Sequence, residues 1–458
     1  MKVRELLTLE IADLALGGKA LARHEGRVVF VDGGLPGDLV RARVTRLKRT
    51  FAEARLESIE RASAQRVPAR CAHAAQCGGC RLQELPYDAQ CALKERHVAE
   101  ALRHLGGIAA PRVRPIVPAP SAWHYRNKME FSFLRAEDGR PILGLHERGT
   151  FDRVFELREC WLPSPLVPKV VALTQRFARE HGWVAYHPTR LDGVARFLVV
   201  RHLEHTHECA VHLIASSEQL ADLGGWARDV AALSPEIRTV TLGLNASRAS
   251  TAVMEREIAL VGPGAIVERI LGLEFEVVGN AFLQTNSAQA ERLYALALEA
   301  AELAPGERVL DLYCGAGTLT LVFARAAGEV TGVESVPDAV ERARRNAARN
   351  GVASARFVLG EARQVLREWA RGEREGAVRP DVVVVDPPRA GLHPRVVARC
   401  AELRPRRIVY VSCNPATLAR DVRDFGALGY ALGEVTPVDM FPHTPHVECV
   451  TWLDRAPA

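Results

Sequence analysis

A chain of 458 residues, 48% hydrophobic and with a net charge of +5, has enough apolar material for two or three domains with real cores. That excludes a disordered tail or a small disulfide scaffold, and no apolar run approaches the length needed to span a bilayer. The charged amino end, MKVRELLTLEIADL, lacks a signal-peptide core, so the expected location is the cytoplasm; ten cysteines in a reducing compartment favour metal or catalytic roles over disulfides.

Residues 1–62 read as five short strands, Leu6–Leu14, Ala20–His24, Arg27–Val31, Leu39–Leu47 and Phe51–Ile59, separated by glycine turns such as Glu25-Gly26. Five short strands with such turns suit a small OB-like barrel. GGKALAR and VFVDGGLPGDLV resemble the TRAM domain, an RNA-binding module. Arg41, Arg43, Arg46, Lys48 and Arg49 form a basic cluster that reads equally as a phosphate-binding face or as a solvated strand face.

In Pro68–Gln83, Cys71, Cys77 and Cys80 are spaced C-x5-C-x2-C, with Cys160 far downstream in RECWLPSP. Thiolates at this density suit zinc or iron–sulfur, and spacing alone does not choose. Tyr87–Leu105 has a helical pattern, with Leu93, His97 and Ala101 on one face and Cys91 in its core. A proline-rich linker, Pro111–Pro120, follows. Residues 121–270 alternate strands (YRNKMEFSF, ILGLHER, RFLVVRHLE, CAVHLIAS, RTVTLGLN) with helices at Val170–Glu180 and Glu218–Ala232. His202, His205 and His207 alternate imperfectly and read as a solvated hairpin end, not a metal site. FEVVGNAFLQTN then enters a helix over Ser287–Leu303, with Asn286 and Gln289 spaced as a capping box.

Three later stretches carry chemistry. In RVLDLYCGAGTLT, strand Val309–Leu312 turns through Gly315, Ala316 and Gly317 into a helix over Leu319–Ala327, and a second strand, Glu329–Glu334, ends in an acid suited to a ribose hydroxyl pair. GAGTLT fits a dinucleotide fingerprint poorly; strand-D-x-x-C-G-x-G followed by strand-E looks like an S-adenosylmethionine site. A helix over Pro337–Asn350 is predicted with Ser335 as its cap and Gly351 as its stop, then a strand at Arg356–Leu359. In DVVVVDPPRAG, a strand at Asp381–Val385 runs into a loop stiffened by two prolines that presents Asp386 and Arg389. In RIVYVSCNP, strand Ile408–Val411 is stopped by Asn-Pro, which leaves Cys413 just past a strand's carboxyl end, the edge where ligands bind in open α/β sheets. Alone, Cys413 reads as a buried small hydrophobe; the company of the other two stretches changes that.

Together DLYCGAG, DPPR and SCNP resemble the class I RNA 5-methyluridine methyltransferases, a likeness that covers nearly the whole chain. The resemblance implies a multidomain protein: a TRAM barrel (1–62), an α+β central iron–sulfur domain (63–270) and a Rossmann-like methyltransferase domain (271–458). It implies a four-iron four-sulfur cluster on Cys71, Cys77, Cys80 and Cys160. It implies Cys413 as nucleophile on uracil carbon 6 and Glu448, after FPHTPH, as the base that removes the carbon-5 proton. It implies S-adenosylmethionine contacts from Gln284 (in the FxQxN motif), Tyr313, Thr318, Glu334, Glu361 and Asp386, with Cys314 packed beside the cofactor. Leu283 and Thr285 vary from the expected motif, and glutamate stands at 361 where aspartate is usual. Tyr125-Arg126-Asn127-Lys128 resembles a motif that touches RNA or the catalytic domain. The expected partner is RNA, most readily a single-stranded loop of 23S ribosomal RNA, with transfer RNA (a uridine-54-type enzyme) as the alternative; a monomer with no obligate protein partner is expected. Competing readings are a catalytically silent iron–sulfur RNA-binding protein, or the same fold acting on DNA or a small molecule.

Overall fold

In a computed structural model, residues 1–187 and 190–456 are described. The amino end is a closed barrel of β1 (Leu6–Leu14), β2 (Ala20–His24), β3 (Arg27–Asp32), β4 (Leu39–Leu47) and β5 (Phe51–Arg61), in the order β1-β2-β3-β5-β4. Period-two burial builds it: Leu7, Leu9 and Ile11 point inward while Thr8, Glu10 and Ala12 face out. The β2–β3 turn places both Glu25 (φ 50°) and Gly26 (φ 77°) in the left-handed region, the geometry that matches strand twist in a two-residue hairpin.

Helix α1 (Tyr87–His104) buries Gln90, Lys94, His97 and Ala101 along one stripe. It lies within the stretch assigned above to the central domain, yet its Val98, Ala101 and Leu102 pack into the core beneath the catalytic sheet. Leu93 meanwhile joins the barrel core, and His97 Nε2 bonds the Leu14 carbonyl at 2.7 Å. The helix therefore rivets barrel to catalytic domain.

The central sheet has the order β12-β11-β10-β9-β6-β7-β8. Its strands are β6 (Lys128–Arg135), β7 (Pro141–His146), β8 (Val154–Glu156), β9 (Ala195–His202), β10 (Cys209–Ala215), β11 (Ile237–Leu244) and β12 (Arg256–Val261). Only β10 and β11 are parallel, joined through α3 (Leu223–Ala232), which packs with α2 (Leu166–Glu180) on the same core. The short strand β8, the edge strand β12 and the hairpin β13 (Ile266–Ile270)–β14 (Leu273–Val277) are not foreseen in the sequence, and α3 begins at Leu223, later than the pattern suggests.

The catalytic sheet has the order β17-β16-β15-β18-β19-β21-β20, with β21 alone running against its neighbours. Its elements follow as α4 (Ser287–Ala301), β15 (Arg308–Leu312), α5 (Thr318–Phe323), β16 (Glu329–Glu334), α6 (Pro337–Arg349), β17 (Ala355–Leu359), α7 (Ala362–Arg371), β18 (Val382–Val385), α8 (Pro394–Glu402), β19 (Arg407–Ser412), α9 (Pro415–Gly426), β20 (Tyr430–Val438) and β21 (Glu448–Arg455). Alternate residues of each central strand feed opposite cores: Val383, Val385, Ile408 and Tyr410 pack with α7–α9, while Val382, Val384, Val409 and Val411 pack with α4–α6. That double burial explains why these strands read as unbroken apolar runs. Helices α7, α8 and α9 go unpredicted because arginine-rich faces dilute their apolar spacing, and strand β20, YALGEVTPV, goes unpredicted because glycine and proline interrupt it.

Two local expectations are corrected. Ser335 does not cap α6; Val336 occupies the N-cap without a side-chain bond, and the Ser335 hydroxyl donates to Glu334 instead. The Asn286–Gln289 capping box is half formed: Asn286 Oδ1 accepts the Gln289 amide N–H at 3.1 Å, but the Gln289 side chain turns away to the Val117 and Asp439 carbonyls.

Candidate active site and cysteine pocket

Strand order reverses between β15 and β18, with β16 on one side and β19 on the other, so a crevice opens at their carboxyl ends. On the β15 side, Tyr313 (φ 67°) and Gly315 (φ 56°) carry the chain through a left-handed turn into α5 at Thr318. A Cβ on Gly315 would meet nothing within 4 Å, so the turn leaves open space above it, whereas one on Gly317 would press on Ala343 and Phe357. Cys314 is buried with its sulfur against Gly332 of β16. The Glu334 carboxylate is fixed by the N–H groups of Gly315 (3.1 Å), Ser335 (2.7 Å) and Val336 (2.9 Å). Burial pushes the Tyr313 phenol up to about 12, and the charge of Glu361, exposed just after β17, is among the smaller contributions that add to it. Gln284 is buried on the approach to α4, and its carbonyl accepts from Asn127 Nδ2 at 3.0 Å.

On the other side of the crevice, Ser412 of β19 pairs with Cys449 of β21, and Glu448 pairs with Val438 of β20. One step beyond the Ser412–Cys449 pair, antiparallel register sets Cys413 across from Glu448. Asn414 begins α9 by accepting the Ala416 N–H at 3.1 Å, and its Nδ2 donates to the Arg389 carbonyl at 3.1 Å. Arg420 donates to the Ala390 and Leu392 carbonyls at 3.1 and 3.0 Å, so hydrogen bonds tie the DPPR loop to the helix that follows the cysteine loop.

Acid crowds this edge. Burial pushes Glu448 up to about 8, with the Asp386 charge adding and Arg389 opposing. Burial alone raises Asp386 to about 7. Asp311, buried below the β15 turn, rises to about 7 through burial and the Asp386 and Glu334 charges, although Thr320 Oγ1 donates to it at 2.6 Å. Its Oδ1 has no partner. Cys413 rises to about 11 through burial and the Glu448 and Asp386 charges, and Arg389 is the cation that opposes this. A ligand bearing positive charge would relieve all four groups. The open turn, the orphan Asp311 oxygen and this acidity together fit S-adenosylmethionine, a sulfonium with an ammonium group.

Sequence reading missed Asp311 as a site residue and missed the support of the 439–446 loop that leads to Glu448. Fully buried Lys94 pairs with Asp439 at 2.5 Å and donates to the Phe441 carbonyl at 3.0 Å; Tyr87 Oη donates to Asp439 at 2.7 Å. Tyr125 Oη and Asn286 Nδ2 hold the Pro442 and Met440 carbonyls. A lysine in the same helical stripe as His97 and Ala101 was the available signal.

The four predicted cluster cysteines, Cys71, Cys77, Cys80 and Cys160, line one cavity of about 680 Å³ together with Arg126, Lys128 and His446. Burial and neighbouring thiols push Cys80 and Cys160 up to about 12. Among the described residues the three-ligand group within 4.8 Å is His202, His207 and Glu236, so no three of these sulfurs crowd that closely. A single tetrahedral zinc would hold thiolates about 3.8 Å apart, from a Zn–S bond of about 2.3 Å. The Gly79 N–H donates to Cys77 Sγ at 3.4 Å. The donor set is thus all sulfur and more widely spaced than one zinc ion requires.

The barrel's basic cluster divides. Glu57 is bidentate to Arg43, and Glu60 lies 3.8 Å from Arg41, so both cations are already paired. Arg46, Lys48 and Arg49 form no ion pair among the described residues. No helix among those residues is long and apolar enough to cross a membrane.

Residues 202–456 match the family model described as tRNA (Uracil-5-)-methyltransferase, and residues 1–56 match the TRAM domain. An uncharacterized RNA methyltransferase of Nitratidesulfovibrio vulgaris is 39% identical over 453 residues, 98% of this chain and 96% of its own. One from Bacillus cereus is 36% identical over 98% of this chain and 97% of its own. The crystal structure of Pyrococcus abyssi tRNA (uracil-54, C5)-methyltransferase in complex with S-adenosyl-L-homocysteine superposes with a TM-score of 0.78 at 30% identity, over 97% of this chain and 99% of that one.

Proposed function

The chain belongs to the tRNA (uracil-5-)-methyltransferase family and is an S-adenosylmethionine-dependent RNA (uracil-5-)-methyltransferase, and from that premise we propose that Cys413 and Glu448 carry the reaction through a covalent cysteine–uracil adduct. The observation that carries this reading is the β19–β21 register, which brings the Cys413 thiol and the Glu448 carboxyl, whose pKa is raised, beside each other at the carboxyl edge of the sheet. Uracil carbon 5 is a weak nucleophile. The Cys413 thiolate adds to carbon 6, and the ring's electrons shift toward carbon 5 and the carbon-4 oxygen as an enolate. S-adenosylmethionine supplies the methyl group that carbon 5 accepts. Glu448 then removes the carbon-5 proton, the carbon 5–carbon 6 double bond re-forms, and Cys413 leaves with the electrons of its carbon–sulfur bond. Arg389 lowers the cost of the thiolate, and Asp386 orients the uracil at the sheet edge. Gln284, Tyr313, Thr318, Glu334, Glu361 and Asp386 are the residues proposed to hold the cofactor. A Cys413→Ala variant that still methylates RNA would refute the nucleophile assignment.

The target is a uridine in a single-stranded loop, because the base must leave any stack to reach Cys413. Among RNAs, 23S ribosomal RNA is the reading carried from the pairing of a barrel with a cysteine cluster. Transfer RNA is the second reading, and the full-length likeness to an archaeal tRNA (uracil-54, C5)-methyltransferase favours it. Mapping 5-methyluridine in both RNA pools of a deletion strain decides between them.

Cys71, Cys77, Cys80 and Cys160 would hold a four-iron four-sulfur cluster. All-sulfur donors spaced too widely for one zinc support this, and iron would stabilise the thiolate forms that burial and mutual repulsion disfavour. The cluster's part is to shape the RNA-facing cavity, since methyl transfer moves no electrons between metal and substrate. The proposed state is a monomer.

A further inference from the structure

A turn far from the cysteines gathers ligands that the sequence reading sets aside as a solvated hairpin end. His202 closes β9, His207 lies at the far side of the β9–β10 turn, and Glu236 immediately precedes β11. Their ligand atoms all lie within 4.8 Å of one another. The His202 side chain is 10% exposed, and its Nε2 stands 3.3 Å from Glu236 Oε2 yet has no hydrogen-bond partner among the described residues. Its other nitrogen, Nδ1, is bonded to Ser164 Oγ at 2.5 Å. The tautomer that donates Nδ1–H to Ser164 leaves Nε2 with a lone pair and fixes the ring plane, which is how ligating histidines are ordinarily oriented. His207 holds φ at 57°, a left-handed conformation that costs a non-glycine residue energy and brings its ring to this group.

We propose that His202 Nε2, His207 and Glu236 bind a divalent zinc ion, with the exposed side of His207 leaving the fourth position to water. Two imidazoles and a carboxylate are a borderline donor set that zinc accepts. At metal–ligand bonds of about 2.0–2.1 Å, a tetrahedral site separates its ligand atoms by roughly 3.3–3.4 Å. The 3.3 Å separation of His202 and Glu236 already matches that edge.

The place of the site gives the ion a structural task. The same turn is clamped from its other side by β13 and the start of α4: fully buried Glu268 of β13 accepts the Glu204 N–H at 3.1 Å and the Ser287 hydroxyl at 2.5 Å. Glu204 in turn accepts the Ala288 N–H at 3.2 Å, at the first turn of α4. That helix directly follows Gln284 and Asn286. Zinc would tie three points of the central sheet together and so stiffen the platform on which the Gln284–Asn286 segment rests. It takes no part in the chemistry at Cys413, and its test is independent of that reading.

Tag-free protein with its cysteine site loaded is equilibrated with Zn²⁺, gel-filtered and assayed for metal, alongside His207→Ala and Glu236→Gln. Both substitutions lie at the surface of the turn, outside the catalytic and cysteine sites. The wild type should retain one zinc more than either variant, with affinity at least tenfold weaker in His207→Ala, and zinc should raise the melting temperature of the wild type alone. With Co²⁺ as probe, the wild-type-minus-variant spectrum should show ligand-field bands without thiolate charge transfer. Equal zinc retention by all three proteins, no zinc uptake by the wild type, or a thiolate band in the difference spectrum would each overturn the proposal. In those cases His202 and Glu236 form an ordinary ion pair.

Discussion

Burial raises thiol pKa values at many positions of the chain, and two of these sites, the four-cysteine cavity and the sheet edge, differ in what surrounds the sulfur. In the cavity shared by Cys71, Cys77, Cys80 and Cys160, burial acts together with the other thiols, and Cys80 and Cys160 reach about 12. At the sheet edge burial lifts Cys413 to about 11, the charges that add to it are carboxylates, Glu448 and Asp386, tempered by Arg389, and the neighbouring Cys449 thiol is fully buried. The remedy differs accordingly. Buried thiols that share one cavity would be relieved by a bound cation, the role proposed for the cluster. A thiol facing carboxyls is relieved by passing protons and by a cationic ligand, which makes a site that can turn over. The comparison teaches that the neighbours of a perturbed cysteine, more than the size of its shift, separate a structural sulfur from a reactive one.

Substitutions sharpen this contrast, and the largest effect belongs to the Cys413 thiol. Cys413→Ala should abolish turnover, by a factor on the order of 10⁴, while cofactor affinity measured by calorimetry is kept. Glu448→Gln should slow product formation roughly 10²–10⁴-fold and let the methylated Cys413–RNA adduct accumulate on denaturing gels. It should also change the pH profile. Glu448 accepts a proton only when ionised, so wild-type turnover should rise through about pH 8, and the variant should lose that limb. Without the Glu448 charge, Cys413 should ionise more readily, as thiol alkylation rates would report.

Across the comparison, the proposed cluster predicts that Cys80→Ser loses iron retained by the wild type and its visible absorbance. Methylation of a short unstructured oligonucleotide should fall less than about tenfold, because Cys80 is not among the residues proposed for the chemistry at Cys413. Asp311→Asn probes the acid crowd. Asp311 has a folded value of about 7 against an ordinary 3.8, so the stability it lends is complete below its unfolded pKa and is lost as pH rises through 7. The variant should therefore melt higher than wild type at pH 8 without cofactor, yet bind S-adenosylmethionine about tenfold more weakly, or about 1.4 kcal/mol. The smallest effect should come from the barrel. Lys48→Ala should lower the salt slope of RNA binding by about one, and Arg43→Ala by less, since Glu57 already occupies Arg43.

What was legible in the sequence follows the same division. Five barrel strands, the catalytic strands other than β20 and the placement of DLYCGAG, DPPR and SCNP at one edge were readable, because each depends on local periodicity and on where a strand ends. The Ser412–Cys449 pairing that brings Glu448 to Cys413 was not readable from residue patterns, because it depends on a strand 36 positions later entering the sheet in reverse; only the family resemblance pointed to Glu448. The Lys94–Asp439 pair joins residues 345 apart and leaves no periodic trace. Helices α7–α9 escaped because solvent-facing arginines mask a narrow buried stripe. His202, His207 and Glu236 escaped because two of them share a turn and the third arrives from another strand.

The central claim is a transient bond between the Cys413 sulfur and carbon 6 of a uridine. Its most direct test is to incubate the protein with 5-fluorouridine-substituted RNA and S-adenosylmethionine, digest it, and sequence the cross-linked peptide by mass spectrometry. Fluorine at carbon 5 cannot leave as a proton does, so the account predicts a stable adduct on Cys413 that carries the transferred methyl group. A methylated RNA with no protein attached, or an adduct on any other cysteine, would contradict it.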